Sequence, residues 1–334
     1  MSEQIIAVTD TAVDDETLER RLAKDEGATY RRWDGSGDLG AVLDGAHVVF
    51  TNFAPLGAAE LDRLAPDAVV IRYGVGVDNV DLAAAAAAGV RVCNVPDYGA
   101  GVVADHATML ALMLVRRVRE FDDALHDGST MRAGDLGPIP SMESRVVGLV
   151  GAGRIARMAA ERLRAFGATT IAYDPYLAPG ALDEEQIRLV GWDELLASAH
   201  ILSLHLPLTE DTHHLLDDAA FAAMGEGTFL INTARGGLVD HDALGRALDS
   251  GRLAGAALDV TEPEPLPTDH PLRSRPEVIL TPHAAFYSTE SMERLQVLAV
   301  DEARRALHGE PLRCPFPLPD VPAPRPDDEG RETR

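Results

Sequence analysis

The sequence predicts an α/β protein of two domains with parallel sheets, on three observations. Short apolar runs alternate with helical patterns through the N-terminal third of the chain. A second series of the same kind begins near residue 146, and it opens on a glycine turn between a strand and a helix. With 334 residues the chain has the length of two ordinary domains, and 46% hydrophobic residues supply a core to each, although aromatics make up only 5%.

In chain order, 5–9, 46–51, 69–72 and 90–94 read as strands, and 16–25, 58–64 and the alanine-rich 82–88 as helices. From 103 to 123 the spacing predicts one long amphipathic helix, with more apolar residues than a single groove covers. The stretch 128–144 is rich in Gly and Pro and reads as irregular. Strands then follow at 146–150, 170–173, 201–206, 228–232, 255–259 and 278–281. A last helix over 289–308 carries Met292, Leu295, Leu298, Ala299 and Ala306 in a register for docking back on the first domain. From Pro315 onward the composition is that of a disordered tail. The expected division is 1–102 with 288–314 as a substrate domain, 103–287 as a dinucleotide domain, and 315–334 as tail.

The turn at 146–175 is the most informative stretch. Val146, Val147, Leu149 and Val150 form a strand of the kind buried on both faces. Gly151-Ala152-Gly153-Arg154-Ile155-Ala156 then leads into a helix closed by Gly167. In such a G-x-G-x-x-A turn the first Gly permits the tight bend and the second lets backbone approach a pyrophosphate. Ala156 is the small third residue that lets helix and strand pack closely. The helix N-terminus offers free N–H groups to the phosphates. Asp174 stands 174 − 151 = 23 positions after the first Gly, where a carboxylate accepts ribose hydroxyls and repels a 2′-phosphate. NAD is therefore expected rather than NADP.

A net charge of −24, with Lys24 the single lysine among 30 basic residues, argues against nucleic-acid and anionic-membrane partners. So many acids also suggest a surface adapted to high salt, where screening suppresses self-repulsion. Equal stability in dilute and in molar KCl would end that idea. No signal peptide and no spanning apolar run is seen, so a soluble, cytoplasmic protein is expected. Cys93 and Cys314 lack metal or redox spacing and read as reduced thiols.

Three polar residues follow strands, where nucleotide folds put their ligands: Arg235 in NTARGGLVD, Glu264 in DVTEPEPLP and His283 in TPHAAFYS. A guanidinium fork grips a carboxylate, and an imidazole backed by an acid serves as proton donor. Taken singly each has a plain alternative: a surface ion pair for Arg235, a solvated acid for Glu264, a core histidine for His283.

RYGVGVDNVDL, VCNVPDYG, VADHA, VGLVGAGRI, LSLHLPLTEDTHHLL, INTARGGLVD, GAALDVTEPEP and TPHAAFYS resemble, in order and spacing, the D-isomer-specific 2-hydroxyacid dehydrogenases over residues 45 to 312. NTARGGLVD, THHLL and TPHAA with its following aromatic look most like the C-terminal-binding-protein branch. The resemblance implies two Rossmann-type, flavodoxin-like domains with a cleft between them, NAD as cofactor and a small 2-oxo or 2-hydroxy acid as substrate. It implies that Arg235 holds the substrate and that His283, paired with Glu264, protonates the carbonyl oxygen. Backbone at Val75 and Gly76 would receive the substrate carboxylate. Cofactor contacts are implied at Arg154, Ile155 and Asp174 beside Gly151 and Gly153, and at His205, Leu206, Pro207 and Thr212. Others are implied at Thr233, Ala234, Arg235, Asp259 and His283. The helix after Val103 would form a homodimer.

Some positions depart from the family pattern. Ala156 replaces the usual third Gly, Phe286 stands where the nearest branch tends to have Trp, and Gly225 and His200 sit where Lys and Asp are common. The loop 51–57 (TNFAPLG) contains no basic residue for a phosphate. An unphosphorylated acid such as glyoxylate, hydroxypyruvate or a larger relative is therefore expected. A D-3-phosphoglycerate dehydrogenase and an NADH-sensing, corepressor-like binding protein are the alternatives. No metal is expected: His213 and His214 read as surface or capping residues, because neighbours on a helix point apart.

Overall fold

The computed structural model describes residues 3–13 and 15–319. The chain divides into two compact units, with breaks between Gly99 and Ala100 and between Tyr287 and Ser288.

The first unit contains β1 (Ile5–Val8), α1 (Thr17–Asp25), β2 (Thr29–Arg32), α2 (Leu39–Leu43), β3 (Val48–Thr51), α3 (Ala58–Leu61), β4 (Val69–Arg72), α4 (Leu82–Ala87) and β5 (Arg91–Cys93). Its strands are all parallel, in the order β2-β1-β3-β4-β5 of flavodoxin-like sheets. Every residue of β3 is buried, which is why its run VVFT is unbroken. Sequence reading missed β2 and α2. The strand, TYRR, is half-buried throughout and lacks an apolar face, and the five-residue helix is announced only by its cap, Asp38, which accepts the Gly40 N–H at 2.9 Å.

The last helix among the described residues, Thr289–Leu307, belongs to this unit and packs on α1, β3 and β4 through Met292, Leu295, Ala299 and Ala303. Two buried carboxylates lie at its contacts. Glu19 of α1 accepts the Tyr73 hydroxyl at 2.5 Å and the Gln296 amide at 2.8 Å, and burial pushes its carboxyl up. Glu302 accepts the N–H groups of Arg313 at 2.9 Å and Cys314 at 3.1 Å, which turns the following segment back onto the sheet. There Pro315 bridges Cys93 in antiparallel fashion, and the Phe316 N–H donates to Val92 O at 2.8 Å. Phe316 and Leu318 pack against the core around Val49, Val70 and Val92. The expected tail from Pro315 is corrected accordingly: 315–319 is fastened to the sheet, and 320–334 lies outside the described residues. Both cysteines are free thiols, and burial raises the pKa of Cys93.

The second unit contains α5 (Ala100–Arg116), α6 (Val118–His126), β6 (Val146–Val150), α7 (Arg154–Ala165), β7 (Thr169–Tyr173), β8 (Arg188–Leu189), α8 (Trp192–Ser198), β9 (Ile201–Leu204), α9 (Asp218–Ala223), β10 (Thr228–Asn232), α10 (His241–Asp249), β11 (Leu253–Leu258) and β12 (Val278–Leu280). The strands are parallel in the order β12-β11-β10-β9-β6-β7-β8, the dinucleotide-binding arrangement with one strand added at an edge. The sheet's chain order reverses between β6 and β9, and the glycine turn leaves β6 there. One apolar cluster, with Leu202, Leu230 and Leu244, covers one face. Another, with Leu110, Leu149 and Leu163, includes the buried faces of α5 and α7.

The single helix expected over 103–123 is two helices. Arg117 adopts a left-handed backbone, φ 53 and ψ 37, between α5 and α6. The apolar stripe of α5 is buried as far as Leu114 and Val115, whereas α6 has no buried residue. The Arg117 side chain holds Glu120 and the Leu136 carbonyl, and Arg119 on α6 donates to the Val278 carbonyl. Met109, Val118 and Leu125 are left exposed on these helices. Among the described residues, no helix is long and apolar enough to cross a membrane.

Candidate active site

The glycine turn has the geometry its sequence demands. Gly151 has φ +83, and a Cβ there would stand 2.7 Å from the His205 carbonyl oxygen, so only Gly serves. A Cβ on Gly153 would meet nothing within 4 Å, which leaves open space at the start of α7. Ala156 is fully buried, as close helix–strand packing requires. Asp174 also builds the turn: it accepts the N–H of Ala152 at 3.0 Å and that of Tyr176 at 3.0 Å, one on each oxygen. Each oxygen keeps a further lone pair for a ligand hydroxyl.

Beyond β9 the chain runs through His205, Leu206 and Pro207. The Thr212 hydroxyl donates to the Pro207 carbonyl at 2.9 Å and accepts from the Thr209 N–H at 2.7 Å, closing that loop. Burial pushes the His205 imidazole down to about 4, so it is neutral near pH 7, and its Nε2 lies 2.9 Å from Ser203 Oγ. The Thr233 hydroxyl is buried with no hydrogen-bond partner among the described residues. An orphan of that kind, with the open space over Gly153, suits a bound dinucleotide.

Arg235, Glu264 and His283 leave the ends of three neighbouring strands. After β10, Asn232 folds the turn: its Oδ1 accepts the Ala234 N–H at 3.0 Å and its Nδ2 donates to Arg235 O at 2.8 Å. Sequence reading missed this residue, though an Asn just before a strand-end turn is a recognisable signal. Gly236 and Gly237 come next. A Cβ on Gly236 would lie 2.1 Å from the Thr261 carbonyl, so the two glycines let the 261–264 loop rest directly on the Arg235 turn. That loop presents Glu264, whose Oε1 is 2.6 Å from His283 Nδ1. The imidazole is 27% exposed, enough to be reached. With Nδ1 turned to a carboxylate, Nε2 is the ring nitrogen left to face a ligand.

His283 has a left-handed backbone, φ 52, and one residue imposes it. Asp259 O accepts the His283 N–H at 2.7 Å. The Asp259 carboxylate accepts the Thr281 hydroxyl at 2.5 Å and the N–H groups of Ala284 at 2.8 Å and Ala285 at 2.9 Å. Its side chain is wholly buried, with His106 Nε2 3.7 Å away. A carboxylate so enclosed holds the His283 loop in place. His106, whose Nε2 lies 3.1 Å from Thr281 Oγ1, supports the same loop and was also missed.

Val75 and Gly76 lie on the first unit. Val75 is exposed, and its carbonyl accepts the Asn94 amide at 2.6 Å. The preceding Gly74 has φ +131, and a Cβ there would collide with the Arg72 guanidinium.

A fold of two parallel α/β units, one with a glycine turn and an Arg–Glu–His set at its strand ends, defines a nucleotide-dependent oxidoreductase class. The family model "D-isomer specific 2-hydroxyacid dehydrogenase, NAD binding domain" matches residues 108–285. The chain belongs to the D-isomer-specific 2-hydroxyacid dehydrogenases, a family of NAD-dependent enzymes acting on CH–OH donors, and its second unit is the NAD-binding domain. It is 40% identical over 271 residues to a D-3-phosphoglycerate dehydrogenase of Mycobacterium leprae, covering 81% of this chain and 51% of that protein. The chain thus spans about half the length of the curated relatives it matches. The crystal structure of a Thermus thermophilus protein, TT0316, superposes with a TM-score of 0.82 at 33% identity, covering 93% of this chain and 99% of that one. That of a glyoxylate reductase from Paecilomyes thermophila gives 0.86 at 27% identity, covering 95% and 99%.

Proposed function

We propose that this protein is an NAD-dependent reductase of a small, unphosphorylated 2-oxo acid, running in reverse as a D-2-hydroxyacid dehydrogenase. The observation that carries this reading is the 2.6 Å pair of His283 Nδ1 and Glu264 Oε1, one strand end from Arg235. NAD, when bound, supplies or takes up the hydride. The Arg235 guanidinium holds the substrate carboxylate by paired hydrogen bonds. His283 Nε2 gives its proton to the carbonyl oxygen in reduction and takes it from the hydroxyl in oxidation, while Glu264 fixes the ring and its tautomer. Asp174 selects a free ribose hydroxyl over a 2′-phosphate.

Two observations support an unphosphorylated substrate. The 51–57 loop has no basic side chain, and its Phe53 is 60% exposed. The second reading, D-3-phosphoglycerate, is favoured by the names of the mycobacterial relatives. A homodimer through α5 and α6 is supported by the exposed Met109, Val118 and Leu125. The test is NADH oxidation against a panel of 2-oxo acids that includes the phosphorylated one. Turnover of glyoxylate, hydroxypyruvate or a larger unphosphorylated acid is expected. Efficient turnover of the phosphorylated acid alone selects the second reading, and no turnover at all removes both.

A further inference from the structure

We propose that His213, His214 and Glu262 form a binding site for one divalent transition-metal ion of the zinc type, on the loops beside the Arg–Glu–His set. His213 Nε2 lies 3.2 Å from Glu262 Oε2, and His214 Nε2 lies 3.4 Å from the same oxygen. One donor atom from each of the three residues falls within 4.8 Å of the others. Two ligands on a tetrahedral ion with bonds of about 2.05 Å stand about 3.3 Å apart, so both carboxylate–imidazole spacings already match a coordination edge.

Adjacent histidines on a helix would point apart, which is how sequence reading set them aside. They are not on a helix. His214 has a left-handed backbone, φ 51, and its N–H donates to Gly237 O at 2.7 Å, while the His213 N–H donates to Thr209 O at 2.9 Å. That turn brings the two imidazoles face to face, with centroids 3.9 Å apart. Glu262 arrives from a different loop and fits because Gly237 has no side chain: a Cβ there would stand 3.1 and 3.2 Å from the two carboxylate oxygens. The fold thus brings the third ligand to a pair of sequence neighbours.

Two imidazoles and a carboxylate suit zinc, cobalt, nickel and copper, whereas magnesium and calcium take all-oxygen sets. The three side chains are 42 to 48% exposed, so an ion enters from solvent, the rings turn to meet it, and water completes its shell. Because Glu262 lies two residues before Glu264, a bound ion ties the 209–214 loop to the one that carries the His283 partner.

The test is titration of the untagged full chain with Co2+, read by calorimetry and by the visible absorption of the bound ion. One Co2+ per chain, displaceable by Zn2+, is expected. His213→Ala, His214→Ala and Glu262→Gln should each weaken binding at least about tenfold, since loss even of a supporting group around a metal costs that much. Glu262→Gln keeps the shape of the loop, and thermal unfolding without metal verifies that each variant is folded. Cys314→Ser should bind Co2+ like the parent chain. Absence of stoichiometric binding, binding that survives in the His213→Ala/His214→Ala double variant, or binding lost in Cys314→Ser would overturn the assignment.

Discussion

Each unit ends a strand in an aspartate that captures the backbone of a neighbouring loop, and the two captures differ in what they present. In the first unit Asp10 accepts the N–H groups of Asn52 at 2.8 Å, Phe53 at 2.5 Å and Ala54 at 3.2 Å, holding an apolar side chain out to solvent. In the second, Asp259 is wholly buried and fixes the loop of His283, the residue proposed to move the proton. Under the proposed function, the same device would serve recognition at one sheet and chemistry at the other. A partly exposed clamp tolerates exchange with water, while a buried one leaves a loop with no alternative.

The largest effect is expected from His283→Ala, which should lower turnover by about 10²–10⁴-fold with NADH affinity largely kept. Near-normal turnover would remove His283 from the mechanism. Asp259→Asn should come next, lowering turnover by roughly tenfold or more and destabilising the fold by about 1–3 kcal/mol, since an amide cannot accept all the bonds the carboxylate does. If turnover and stability are both unchanged, the clamp is not what positions His283.

Acid should then separate the two units. His205 is held down to about 4 from an ordinary 6.5, so between those values the unfolded chain takes up a proton that the folded one refuses. This contribution is full above pH 6.5 and falls as pH drops, by about 2 kcal/mol at pH 5. Glu19 of the first unit has the opposite sign. Its raised carboxyl contributes below the ordinary 4.5 and is lost as pH rises through the folded value. Hydrogen exchange from pH 7 to 5 should therefore show protection falling more in β6 and β9 than in β3 and β4. Equal loss in both sheets would count against the His205 assignment.

The smallest effect is expected from Asp10→Ala. Loosening the 52–54 loop should raise KM several-fold with kcat nearly unchanged, about 1 kcal/mol of binding. A fall in kcat as large as that of Asp259→Asn would erase the distinction between the two clamps.

Much of this was legible in sequence because its signals are local. The glycine turn, Asp174 and the strand-end positions of Arg235, Glu264 and His283 follow from residue type and spacing within one strand–turn unit. What was not legible depends on contacts distant in sequence. The left-handed turn at His214 is held by Gly237, the burial of Asp259 by the 281–285 loop, and the course of 313–316 by Glu302 and β5. The break at Arg117 is of a third kind, a non-glycine residue in a left-handed conformation that no turn signal announces.

The pairing of Pro315 and Phe316 with β5 has a practical outcome for anyone shortening the protein. β5 is the outermost strand on its side of the first sheet, and a bare rim of N–H and C=O groups templates association with other chains. The 314–316 segment works as a splint along that rim. A chain cut before Cys314 should be prone to sticking edge to edge, whereas one ended after Leu318 keeps its margin covered.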